Sequence, residues 1–185
     1  MRRTLLTVAL AAVLLAPALR AQTTDAPLTI VPACPSTATL DQLITAIDAA
    51  VSGPANKDRA CFRQLFAPDA RLIPIRIAPD GTATPRILTV DGWIDAVAKR
   101  GSQILIERQI KVRTETWAHM AHLWSTYETL SSDPPPTGGK APEPKLLDRG
   151  INSIQAVYDG KQWRVQEILW QAETPADPVP QKYLP

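Results

Sequence analysis

From Ile104 onward the chain changes its period to two and holds it to Ala172, and this constrains the fold more than any other feature. Four extended segments follow from the pattern, Ile104 to Thr114, Ala118 to Leu130, Leu146 to Tyr158 and Lys161 to Ala172, separated by turn-forming stretches. A proline-rich loop, Ser131 to Leu146, joins the middle two, and Asp159-Gly160 reads as a tight hairpin turn. If the long loop is symmetric, Ser125 faces Asn152 and Glu128 faces Arg149, so opposite charges meet across two strands. One face then carries Ala121, Leu123, Ser125 and Tyr127 against Ala156, Ile154, Asn152 and Gly150, small and apolar with a few polar groups, as an inner wall should be. Gly150 opposite Tyr127 leaves room for a ring.

The first hundred residues read differently. Thr39 or Ser36 can cap a helix in which Leu40, Leu43, Ile44 and Ile47 share one face and Asp41, Gln42 and Asp48 the wet side. Gly53-Pro54 interrupts it, and a shorter helix from Lys57 to Phe66 offers Cys61, Phe62, Leu65 and Phe66 to a core. A strand, Arg71 to Ile77, ends at Asp80-Gly81, and Thr89 caps a third helix with Trp93, Ile94 and Val97 as its apolar stripe. Helices first and an antiparallel sheet afterwards is an α+β plan with the helices on one face of the sheet.

Targeting narrows the setting. Met1-Arg2-Arg3, an apolar run from Leu5 to Leu15 and the small residues before Ala18 and Ala21 have the three regions of a secretory signal, so residues 1–21 read as a leader cut after Ala18 or Ala21. The run is short for a membrane span, and no membrane attachment is expected once it is removed. Without Arg2, Arg3 and Arg20 the formal charge of +2 becomes −1, which gives no reason to expect nucleic acid as a partner. The remaining chain divides into an extended arm (22–36), one domain (37–173) and a flexible tail (174–185) with four prolines after Thr174. A periplasmic or secreted location makes a Cys34–Cys61 disulfide the first reading of the two cysteines, two buried thiols being the other.

At this point the residues resemble a known family. Phe62-Arg63-Gln64-Leu65-Phe66-Ala67-Pro68-Asp69-Ala70, Ala121 to Glu128, Gly150 to Gln155, Asp159-Gly160 and Trp163-Arg164-Val165 look like the SnoaL-like branch of the nuclear transport factor 2-like superfamily, over about Leu40 to Ala172. The resemblance implies a cone-shaped fold, N-terminal helices packed on a curved antiparallel sheet with a cavity between them. It implies no particular reaction, since that superfamily holds isomerases, dehydratases, cyclases and adaptors. Its ketosteroid isomerases carry an oxyanion-hole acid where Asn152 stands here, but the place of their general base is taken by Pro74 or Ile75.

Extending the register outward places Arg108 beside Ser125 and Glu167 near Asn152. The expected pocket is therefore Arg108, Ser125, Tyr127, Asn152 and Glu167, capped by Trp93. Functionally read, Arg108, Ser125, Tyr127, Asn152 and Trp93 bind a small, mostly apolar molecule bearing a carbonyl or carboxylate, and Glu167 is the one candidate base. Structurally read, Arg108 and Glu167 neutralise each other in a polar core. A strand bulge would reverse these orientations, and Ile168 and Trp170 make Glu167 the exposed case. His119 and His122 point to opposite faces and form no metal pair, and no cofactor is expected. The outer face, with Met120, His122 and Trp124, suits a homodimer or a cover by the N-terminal arm. Three functions stand open: a small-molecule-binding domain, a cofactor-independent lyase or isomerase acting on a small carbonyl compound, and a dimeric interaction module without a ligand.

Overall fold

A computed structural model describes residues 33–140 and 142–185. The leader and most of the N-terminal arm expected from the sequence lie outside the described residues. Three helices, α1 (Leu40–Val51), α2 (Ala60–Gln64) and α3 (Val90–Ala98), pack on a seven-stranded sheet made of β1 (Gly53–Pro54), β2 (Phe66–Ile77), β3 (Ala83–Pro85), β4 (Ile104–Trp117), β5 (Met120–Ser132), β6 (Lys145–Tyr158) and β7 (Trp163–Ala172). The strand order is β1-β4-β5-β6-β7-β2-β3. All pairs run antiparallel except β2 with β7, which is parallel. This is the α+β plan read from the sequence, with the helices filling the hollow of a curved sheet.

Local chemistry explains the helix starts. Thr39 accepts from the Gln42 amide and Gln42 reaches back to the Thr39 amide, a full capping box at α1. Thr89 caps α3 through the Gly92 amide at 3.0 Å. At the other end of α1, Lys57 Nζ donates to the carbonyls of Ala49 (2.6 Å) and Ser52 (2.9 Å), and buried Arg59 donates to those of Ala50 and Val51. Both cations sit at the negative end of the helix dipole. Leu43, Ala46 and Ile47 of α1, Phe62 of α2 and Trp93 and Val97 of α3 join Leu123, Ile154 and Val165 of the sheet in one core. Phe62 and Trp93 stack with centroids 4.3 Å apart.

Cys34 and Cys61 form a disulfide, Cα atoms 5.2 Å apart, fastening the segment before α1 to α2. Thr37 adds to this anchor: its carbonyl accepts from the Trp163 amide at 2.8 Å and its hydroxyl donates to the Trp163 carbonyl at 2.9 Å.

The β5–β6 register is the symmetric one from Met120 to Thr129, with Ser125 opposite Asn152 and Glu128 opposite Arg149, and it slips by one residue at Leu147. Both flanking pairs depart from simple alternation. The β4–β5 turn is Ala118-His119, with Trp117 opposite Met120 and Ala118 at a φ of 49°, so it lies further along the chain than the break between Thr114 and Ala118 read from the pattern. A bulge at Ile110 then shifts β4 by one residue more. On β7 a bulge at Gln166 leaves Val165 opposite Ala156 but brings Ile168 opposite Ile154.

The C-terminal residues, read from the sequence as a flexible tail, are docked. A short 3-10 helix, Gln181–Tyr183, lies on the outer face of β4 and β5. Thr126 Oγ1 donates to the Tyr183 carbonyl at 2.6 Å, Lys111 Nζ to that of Leu184, and Arg113 to that of Lys182 at 3.3 Å. The Tyr183 ring lies against Trp124, centroids 5.9 Å apart, and under the Arg113 guanidinium. Proline-rich composition lowers the entropy that docking must offset, which composition alone does not reveal.

Candidate functional site

Between α1, α3 and the concave face of the sheet lies a cavity of about 250 Å3. Its floor is apolar: Ile47, Phe62, Phe66, Leu72, Trp93, Leu105 and Ile168. One side is polar, with Glu107, Tyr127, Thr129, Asp148 and Asn152, and Arg100, Gln103 and Leu147 are the exposed lining residues that mark its mouth.

The two bulges decide which side chains stand there. With the extra residue at Ile110, β4 presents Leu105, Glu107 and Gln109 to the concave side and Arg108 to the convex side, where it bonds Glu128 at 2.7 Å. Arg108 is thus not beside Ser125; Gln109 takes that place. On β7 the bulge turns Ile168 and Trp170 inward and Glu167 outward, and Glu167 pairs there with Arg71 of β2. Glu167 does not line the cavity, and the base expected from the sequence is absent from it. The change is one of parity: a single inserted residue sends every later side chain to the opposite face.

The other expected residues are placed on the concave side. Tyr127, Asn152 and Trp93 line the cavity. Ser125 is completely buried behind its wall, its hydroxyl donating to Gln109 Oε1 at 2.5 Å. Gly150 lies under Tyr127 so closely that a Cβ there would stand 2.1 Å from the Gln171 carbonyl and 2.7 Å from the Tyr127 hydroxyl.

Gln109 is the hub of a network that sequence reading missed. Its Oε1 accepts from Ser125 and, at 3.2 Å, from Asn152 Nδ2. Its Nε2 donates to Asp48 Oδ1 at 3.0 Å and more loosely to Glu107 Oε1 at 3.3 Å, while its amide donates to Asp48 Oδ2 at 3.0 Å. Asp48, assigned from helical periodicity to the wet side of α1, instead faces β4. Burial raises its pKa, partly offset by the two bonds from Gln109. The signal that could have exposed the network is the alternation Leu105-Glu107-Gln109 against Ile106-Arg108-Ile110, but choosing between these two sets requires the extra residue at Ile110, which nothing local in the sequence announces.

Three carboxyl groups therefore gather on one side: Asp48 from α1, Glu107 from β4 and Asp148 from β6. The Glu107 carboxyl is pushed up to about 8, first by burial and then by the neighbouring Asp48 and Asp148, with Arg100 and the Gln109 bond opposing. Near neutral pH it holds its proton. Asp148 Oδ1 is buried without a hydrogen-bond partner among the described residues. Among the described residues none of the three acids has a cation within salt-bridge distance. Arg100, though exposed as a residue, is partly covered at the mouth, which lowers its pKa, an effect that Glu107 and Asp148 counter. Burial also raises the Tyr127 phenol, with the same acids adding to the shift, so it stays a neutral hydroxyl. The arrangement offers a ligand an apolar bed and, at one end, a protonated carboxyl, an under-bonded carboxylate, a phenol and an amide. No group of three or more His, Cys, Asp or Glu among the described residues is arranged to hold a metal ion.

No family model matches the chain, and no curated protein matches it in sequence. Solved structures match it in fold. A chain described as a putative Ca/calmodulin-dependent kinase II association domain from Exiguobacterium sibiricum is similar at a TM-score of 0.52 and 13% identity, over 74% of this chain and 92% of that one. The β subunit of a putative aromatic-ring-hydroxylating dioxygenase from Novosphingobium aromaticivorans is similar at 0.53 and 12%, over 73% and 87%. A protein of unknown function with a cystatin-like fold from Nostoc punctiforme is similar at 0.52 and 9%, over 76% and 92%. At such identities the likeness is one of fold.

Proposed function

We propose that the chain is an exported small-molecule-binding domain of the SnoaL-like branch of the nuclear transport factor 2-like superfamily, its ligand seated in the cavity between α1, α3 and the sheet. The observation that carries this reading is the cavity itself, about 250 Å3 with an apolar floor and convergent polar groups on one side. An apolar cavity of about 150 Å3 already holds benzene, so this one suits a substituted single ring or a small fused pair. A module without a ligand would have filled that space with side chains, because an empty cavity costs stability in proportion to its volume. The disulfide is in keeping with export. Support for the branch is the order of the matched segments on α2, β5, β6 and β7.

A second reading, a cofactor-independent lyase or isomerase, is favoured by one observation: Glu107, protonated near neutrality and beside the under-bonded Asp148, has the character of a general acid. It supplies an acid, where the sequence suggests a base at Glu167.

The test is a screen of small ring compounds by thermal shift and native mass spectrometry, repeated on Leu105→Trp, which places an indole in the cavity. Ligands should raise the melting temperature of the parent and not of the variant. Equal binding by both proteins would overturn the assignment of the cavity.

A further inference from the structure

The chemistry lining the cavity is unbalanced in a way that bears on its ligand. Glu107 and Asp148 face it, with Asp48 behind Gln109 adding to the same negative field, against one cation, Arg100, which is exposed at the mouth and makes no salt bridge among the described residues. Among the described residues only one Glu107 oxygen takes a hydrogen bond, from Gln109 at 3.3 Å, and Asp148 Oδ1 takes none. A buried carboxylate oxygen without a donor is costly, and natural structures supply one from protein, water or ligand. Tyr127 and Trp170 line the same cavity, and neither ring stacks on another aromatic ring among the described residues, so both remain available to a bound group.

Resting on the small-molecule-binding reading above, we propose that the ligand of this cavity is an organic cation, an ammonium or amidinium group on a small apolar ring, with its N–H donors on Asp148 and Glu107 and its ring on the apolar floor. A cation answers three features at once. It donates to the orphaned carboxylate oxygen, offsets the negative field of the aspartates and of Glu107 once its proton has left, and is attracted by the faces of aromatic rings. A carboxylate ligand would meet the aspartates as repulsion and would find Arg100 as its one cationic partner among the lining residues.

The groups facing Glu107 are Asp48 on α1, Gln109 on its own strand, Tyr127 on β5, Asp148 on β6 and Arg100 after α3, and of these the two aspartates raise its proton affinity. A bound cation reverses that effect. Binding should expel the Glu107 proton below pH 8 and tighten as pH rises through that value.

Isothermal titration with three shape-matched probes tests this: benzamidinium as the cation, benzamide as the neutral form and benzoate as the anion. Titrations at pH 6.5 and 9 in two buffers of different ionisation heat report proton release. Benzamidinium should bind at least about tenfold tighter than benzamide at pH 9, release a proton at pH 6.5, and lose about tenfold with Asp148→Asn. Circular dichroism confirms that the variant is folded, and Glu107→Gln, which should abolish proton release, gives a second reading if it is not. If benzamide or benzoate binds as tightly as benzamidinium, the cation proposal fails and the binding reading survives. If none of the three binds, both fail.

Discussion

The two faces of the sheet treat acidic side chains in opposite ways. On the convex side each of three glutamates has an arginine: Glu128 with Arg108 at 2.7 Å, Glu173 with Arg149 at 2.9 Å, and Glu167 with Arg71. On the concave side Asp48, Glu107 and Asp148 have none among the described residues, and one of them keeps its proton up to a pH of about 8. Outside, an arginine head stays in water and pairing costs little. Inside, a second charge would have to be desolvated as well; Glu107 keeps its proton instead, and Asp48 takes the amide donors of Gln109. The difference teaches that charge count alone does not locate a site; the informative acids are those left without a cation.

The contrast can be broken at three depths. The largest effect is expected at Gly150, where the concave wall is tightest. Gly150→Ala would drive a methyl group into the Gln171 carbonyl and the Tyr127 hydroxyl, and the loss should be about 3 kcal/mol or more, or the variant should fail to accumulate folded. A urea melt with an unchanged midpoint would contradict the close approach of β6, β7 and Tyr127. Intermediate in size is Glu107→Gln. The folded protein holds a proton on Glu107 up to about 8, whereas the unfolded chain releases it in the ordinary carboxylate range, so stability falls as pH rises through that interval and levels off above it. The Gln variant lacks this fall and should gain on the parent by on the order of 3 kcal/mol between pH 5 and pH 9, read from denaturant midpoints. A difference that does not change with pH would mean that the concave acids are no more strained than the convex ones. Glu167→Gln should do least. Its partner Arg71 is largely exposed, so the change should cost under about 1 kcal/mol and leave ligand binding where it was. An effect on binding as large as that of Asp148→Asn would return Glu167 to the site.

How much of this was legible follows from where the backbone keeps count. The β5–β6 pairing could be read because the loop between the strands is close to symmetric and two apolar sets agree across it, which placed Ser125, Tyr127 and Asn152 on the concave side. The α1 and α3 caps were legible from Thr39 and Thr89, because a side-chain oxygen before an apolar stripe is a local signal. Arg108 and Glu167 were not, since each lies beyond a feature with no local signature: a two-residue turn without glycine, and single extra residues at Ile110 and Gln166. Glu107 and Gln109 were hidden by the same miscount, and Asp48 because the helical period gives a direction but not the neighbour that fills it. The cavity's acidic side is assembled from three elements distant in sequence, and only the closed sheet brings them together.

The docked C-terminus also changes how the outer face can be used. Three successive backbone carbonyls, of Lys182, Tyr183 and Leu184, are held by side chains of β4 and β5, over the patch around Trp124 that the sequence suggested for a second subunit. A segment attached to β7 by a short connection competes as a tethered occupant at an effective concentration on the order of millimolar. A second copy arriving from dilute solution has to displace a ligand the chain always carries, so the state of assembly and the position of the last few residues become a single equilibrium.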